Sequence, residues 1–194
     1  MHVIPSLPLR STRVHEACGP SAAVFAAIAC SGTKGRLLWI CEDRQTERLL
    51  PTGLAEFIDP DRLMIADTRN QTDTLAVAEE ALKDGAIVLV VMEITRPLNL
   101  REGRRLQLAA KAGNATGLCL IPEGMGSNAA ETRWRCSPVF DPEDGGDSTL
   151  MRWEIIKNKK GTLGAWHVRW NAATHRLDVV SPVADGPGAA TVPD

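Results

Sequence analysis

Residues 86–92 (AIVLVVM) are consecutive apolar side chains with no charge among them, a run far too short to cross a membrane as a helix. Branched side chains dominate it, so it reads as a strand buried on both faces, and such strands belong to parallel sheets covered by helices. Residues 37–41 (LLWIC) and 118–121 (LCLI) have the same character, and 62–66 form a shorter candidate strand. The segments between them have a different period. Residues 72–83 place Leu75, Ala78 and Leu82 at helical spacing with Glu79, Glu80 and Lys83 between, and Gly85 closes the helix. Residues 99–111 return to that spacing before Gly113, while 24–30 (VFAAIAC) suit a helix packed flat on a sheet and ended by Gly32 and Gly35. Strand and helix in alternation specify an α/β fold with a mostly parallel central sheet flanked by helices.

From Thr132 the period falls to two. Residues 133–136 (RWRC), 151–157 (MRWEIIK) and 166–170 (WHVRW) alternate apolar and polar side chains, as antiparallel strands with one wet face do. Residues 141–148 (DPEDGGDS) read as a loop, and Lys159, Lys160, Gly161 and Gly164 turn the next hairpin. Trp134, Trp153, Trp166 and Trp170 fall on the apolar side and are expected in the core. Arg133, Arg135, Arg152 and Arg169 fall on the other side with His167, a face suited to nucleic-acid phosphates or an acidic protein. No exposed aromatic positions are evident there for stacking bases, and the residues leave both uses open. Residues 1–183 are read as a single domain and the Pro-, Gly- and Ala-rich 184–194 as a disordered tail.

The 194 residues, 44% hydrophobic and 24% charged, suffice for one domain with a full core. No basic segment followed by an apolar stretch opens the chain, and no run is long enough for a membrane helix. The five cysteines (Cys18, Cys30, Cys41, Cys119, Cys136) are odd in number and set among apolar neighbours, as expected of reduced core residues in a cytoplasmic protein. His15 and His167 lack companions at ligand spacing, so no metal role is assigned. The net charge of −2 is unevenly spread: residues 42–93 hold 12 acidic and 5 basic side chains, residues 101–176 hold 8 acidic and 12 basic. Only one of these regions suits an anionic partner.

Residues 15–25 (HEACGPSAAVF) resemble a phosphate-binding loop without its phosphate-binding residues. A working loop ends in Gly-Lys-Ser/Thr, because the lysine neutralises the phosphates and the hydroxyl holds Mg²⁺. Gly19 and Pro20 remain, followed by Ser21 and Ala22, but Ala23, Val24 and Phe25 occupy that end. The Gly19-Pro20-Ser21 turn reads either as a plain strand-to-helix connection or as residual anion binding at a helix N-terminus. Glu42 and Glu93 close the apolar runs that follow, where such sites carry carboxylates; the default for charges at strand ends is solvation. Without lysine and hydroxyl, no nucleotide cofactor and no significant ATPase are expected.

The order of degenerate loop, LLWICED, AIVLVVMEI, TRWRC and RWEIIKNKKG resembles the core of RecA-type recombinases over about residues 13–171. Within that superfamily it most resembles the ImuA family. The features are His15-Glu16, the LWI of 38–40, residues 104–110 (RRLQLAA) and residues 130–135 (AETRWR). The resemblance implies a non-catalytic RecA-like accessory protein of damage-induced mutagenesis. Such a protein joins an ImuB-like Y-family polymerase homologue to an error-prone DnaE-type polymerase for translesion DNA synthesis. DNA, RecA and a second copy of the chain are further candidate partners. It implies that Lys157-Asn158-Lys159 matches a motif that reaches across a subunit interface, so Lys157 and Lys159 are expected in a subunit or partner contact. Arg101, Arg104 and Arg105 form a further candidate interaction patch, against the default of a solvated helix face. The stretch before Arg13 is short for such a core, which implies an uncapped apolar surface open to self-association. The alternatives are a SulA-like cell-division inhibitor and a weak DNA-stimulated ATPase.

Overall fold

The computed structural model describes residues 4, 7–43, 49–141 and 149–183. Its strands are β1 (Val14–Cys18), β2 (Arg36–Glu42), β3 (Leu63–Thr68), β4 (Ile87–Glu93), β5 (Thr116–Leu120), β6 (Thr132–Pro138), β7 (Leu150–Asn158), β8 (Gly164–Asn171) and β9 (Arg176–Val183). They form one nine-stranded sheet in the order β3-β2-β4-β5-β1-β6-β7-β8-β9. Pairing is parallel from β3 through to β6 and antiparallel from β6 to β9.

The helices are α1 (Ala22–Ser31), the short α2 (Pro51–Leu54), α3 (Gln71–Asp84) and α4 (Leu100–Ala112). Helix α3 starts where the Asn70 side chain accepts the Asp73 N–H and stops at Gly85, which adopts the left-handed conformation a side chain would disfavour. Helix α4 opens with a capping box, in which Asn99 Oδ1 accepts the Glu102 N–H and Glu102 Oε2 accepts the Asn99 N–H, both at 2.9 Å. Arg96 binds the same carboxylate at 2.8 Å and, as the largest influence, holds the Glu102 carboxyl below its ordinary range.

Two cores lie on the two faces of the sheet. One gathers Phe25, Trp39, Leu89, Val91, Trp134, Trp153 and Trp170 under α1. The other gathers Ile40, Val90, Met92, Leu82, Leu106 and Cys119 under α3 and α4. Four of the five cysteines are buried and all five are free thiols; burial pushes Cys30 up to about 12 and raises Cys119 and Cys136 also. All five tryptophans are buried.

The sheet differs from the sequence expectation in three ways. β1 was not expected as a strand, because its five buried residues (VHEAC) include a histidine and a glutamate that break the apolar run. β6 is not antiparallel on both sides: it pairs parallel with β1 and antiparallel with β7, joining the two halves. β9 extends the sheet beyond Trp170, and its side chains alternate in exposure as a strand's do. Ile4 is buried, and Leu7 and Leu9 pack against the α1 core, so the segment before Arg13 covers part of the surface expected to be bare. The tail at 184–194 and residues 142–148 of the expected loop lie outside the described residues.

Candidate functional site

The connection from β1 to α1 is only Gly19, Pro20 and Ser21, and Ala22 is already helical. Two of its N–H groups are bonded within the protein. The Ser21 N–H donates to the Cys136 carbonyl at 3.1 Å, and the Ala22 N–H donates to the Gly19 carbonyl at 3.0 Å. Gly19 has φ +92°, and a Cβ there would collide with the Cys136 carbonyl oxygen. The turn is therefore pressed against β6. Phe25, at the position of the missing hydroxyl, is fully buried, with ring centroids 5.2 Å from Trp134 and 4.7 Å from Trp153. A groove of about 760 Å³ lies at the other end of α1, lined by Leu7, Leu9, Ile28, Trp170, Leu177 and Val179.

Glu42 and Glu93 stand at the carboxyl ends of β2 and β4 but do not converge. Glu93 follows Val91 on the α1 face, where its Oε1 accepts the Trp39 N–H at 3.1 Å and lies 3.6 Å from the Cys41 thiol. Glu42 takes the alternate face and accepts the Thr95 hydroxyl at 2.9 Å. Both carboxylates are bound within the chain, which corrects the expectation of simple solvation. Among the described residues no group of three or more His, Cys, Asp or Glu side chains is placed to hold a metal ion.

The expected arginine face exists, but it is neutralised. Arg135 pairs with Glu123 at 2.9 Å and with Glu154 at 3.6 Å, Arg152 reaches Glu154 at 3.5 Å, and Arg169 pairs with Asp141. The register accounts for one of these pairs, since β7 sets Glu154 opposite Arg135. Arg152 and Glu154 share a face of β7 by alternation, whereas Glu123 and Asp141 come from outside the strands they neutralise.

Arg133 and Lys157 are partly buried and Lys159 is exposed, and all three bond within the chain. Glu16, 1% exposed, accepts Arg133 Nε at 2.7 Å on one oxygen and the Ser127 N–H at 2.7 Å on the other. Arg133 also donates to the Ser127 carbonyl at 3.2 Å, and the Lys157 ammonium donates to the carbonyls of Ser127 and Asn128 at 2.8 and 3.0 Å. Lys159 donates to the Ala129 carbonyl at 2.7 Å. Burial, aided by Arg133, lowers the Lys157 pKa. These cations clamp the crossover at 121–131 that brings the chain back to β6 beside β1.

His15 belongs to a second buried network that sequence reading missed. Its Nε2 lies 3.0 Å from the Arg10 carbonyl, which can only accept, so the proton sits on Nε2 and Nδ1 accepts the Thr132 hydroxyl at 2.7 Å. Thr132 in turn accepts the Trp134 N–H at 2.9 Å. Burial is the main influence on His15 and lowers its pKa, although the Arg10 carbonyl opposes it. An unfolded histidine binds a proton first, so this stabilisation is complete above the unfolded pKa and declines as pH falls below about 6.5. Tm is expected to drop between pH 7.5 and pH 5.5 (values on the order of one unit either side of that pKa), and more steeply than in His15→Gln. Parallel pH profiles for the two proteins would contradict this role.

The three arginines of α4 divide. Arg105 pairs with Glu79 of α3 at 2.5 Å, whereas Arg101 and Arg104 project into solvent and make no ion pair or hydrogen bond among the described residues.

Together these features define an α/β protein with a mixed nine-stranded sheet, whose first strand-to-helix turn is packed against β6. The chain is similar to Protein ImuA of Caulobacter vibrioides: in each of two strains, NA1000 / CB15N and ATCC 19089 / CIP 103742 / CB 15, identity is 28% over 174 residues, spanning 80% of this chain and 70% of the relative. No family model matches the sequence.

Proposed function

We propose that this chain is a non-catalytic RecA-like accessory protein of damage-induced mutagenesis, working as a scaffold between a Y-family polymerase homologue and an error-prone DnaE-type polymerase. The similarity to Protein ImuA supports the process, and the parallel core with an antiparallel extension supports the RecA-like reading. The observation that carries the non-catalytic part is the β1–α1 turn. Its Ser21 and Ala22 N–H groups are bonded within the protein, and Phe25 fills the core where a Mg²⁺-binding hydroxyl would stand. Phosphoryl transfer depends on positioned charge, and a tight turn packed on β6 supplies neither cradle nor cation.

The test is co-purification. The protein is expected to retain a Y-family polymerase homologue from the same organism through gel filtration, and cells lacking it are expected to lose damage-induced mutagenesis. A protein that binds neither polymerase, but blocks assembly of a tubulin-like division polymer, would overturn this reading in favour of the division inhibitor.

A further inference from the structure

Helices α3 and α4 lie side by side on one face of the sheet, tied laterally by Arg105–Glu79, and their outer surfaces carry opposite charge. At 100° per residue, the side of α4 opposite its buried Leu106, Ala109 and Ala110 presents Leu100, Arg101, Arg104, Leu108 and Lys111. Leu100 is 70% and Leu108 59% exposed, and the three cations have no partner among the described residues. On α3, the side opposite buried Thr74, Ala78 and Leu82 presents Val77, 38% exposed, with Glu80, Asp84 and Lys83, a net negative charge, beside Asp73, which Arg69 pairs at 2.9 Å. Glu80 has no partner among the described residues, and Asp84 meets only the backbone of Ala86.

We propose that this layer is a two-fold self-association surface, with α3 of one copy lying on α4 of the other and the reverse contact alongside. Both helices follow parallel strands of the same sheet and run in the same direction. A two-fold axis parallel to them therefore places the acidic helix of each copy over the basic helix of its partner. The contact is isologous and closes at two copies. It brings Arg101, Arg104 and Lys111 of one copy to Glu80 and Asp84 of the other, and it covers the exposed Leu100, Leu108 and Val77. Charge complementarity selects a second copy as occupant: an unrelated acidic partner would match α4 and be repelled by α3, and DNA likewise.

Sedimentation of the full chain tests this with two charge-reversal pairs, Arg101→Glu with Arg104→Glu, and Glu80→Lys with Asp84→Lys. The unmodified protein is expected to sediment at about twice its 21.0 kDa chain mass, and to dissociate in about 1 M salt, where screening falls to about 3 Å. Each reversed protein alone is expected to weaken association at least about tenfold. Mixing the two restores it, because both contacts in the mixed pair again join opposite charges. Circular dichroism and Tm close to those of the unmodified protein confirm that these surface changes leave the fold intact. An unmodified protein that stays monomeric at low salt, a dimer indifferent to either reversal, or a mixture that fails to pair would overturn the proposal. So would binding of DNA or an acidic protein lost only with the α4 reversal in a chain that never self-associates.

Discussion

Rebuilding the phosphate-loop ending with Ala23→Gly, Val24→Lys and Phe25→Thr is expected to damage the fold and to yield no ATPase. Phe25 is fully buried between Trp134 and Trp153, with a near-perpendicular 69° approach to the latter. Removing a buried phenylalanine ring costs about 3–5 kcal/mol, the larger part of it from the cavity left among rigid neighbours. In a chain of this size the loss corresponds to a fall in Tm of about 6–20 °C. Phe25→Leu, which refills most of the volume, should cost less than half as much. A thermal melt of both variants with a phosphate-release assay is decisive. Unchanged Tm with new ATP hydrolysis would show that the turn retains a usable cradle.

Removing Glu16 is the second large effect. Its carboxylate is the buried counter-charge for Arg133 and holds the Ser127 N–H, while Arg133 lies against Gly126 and beside Lys157. Glu16→Ala leaves a largely buried guanidinium and a nearby ammonium without their anion, a loss of about 3–5 kcal/mol. The pair itself contributes much less than that figure, since desolvating two charges nearly offsets their attraction. Glu16→Leu alone should lose a comparable amount, and combined with Arg133→Met should recover most of it, giving a strongly non-additive double-mutant cycle. Urea midpoints for the two single variants and the double variant measure it. Additive losses would mean that Glu16 acts through packing and not as a counter-charge.

The parallel core was readable because each of its signals is local. Residues 86–92 and 37–41 are strands by apolar run length, and α3 and α4 follow from spacing and from Asn70, Asn99, Gly85 and Gly113 at their ends. β1 was hidden because its inward-facing Glu16 is tolerated only by Arg133, 117 residues away, a partner that no window of sequence contains. β9 was legible in the alternation of Leu177 and Val179 with Asp178 and Val180, had the strand pattern been followed past Trp170.

The candidate site follows the same division. The absence of lysine and hydroxyl after Gly19 is a property of residue identity, but the three-residue turn and its bond to Cys136 depend on β6 folding back beside β1. Arginines on alternate positions predict a common face correctly. Glu154 stands two residues from Arg152 on that face and is visible in the alternation, but the pairing of Glu123 with Arg135 and of Asp141 with Arg169, and the bonds from Lys157 and Lys159 to carbonyls of the 121–131 crossover, are long-range and are not. Arg101 and Arg104 keep their exposure because, among the described residues, no element lies over α4.

The most direct test of the central claim is equilibrium binding of a fluorescent ATP analogue to the purified protein with Mg²⁺, in the presence and absence of single-stranded DNA. The account predicts no saturable binding up to about 1 mM nucleotide, a free energy no better than about −4 kcal/mol, because the β1–α1 turn is packed on β6 with its Ser21 and Ala22 N–H groups already bonded and carries no cation for the phosphates. Saturable binding in the micromolar range, abolished by changes at Ser21 or Glu93, would contradict it and return the chain to the ATPases.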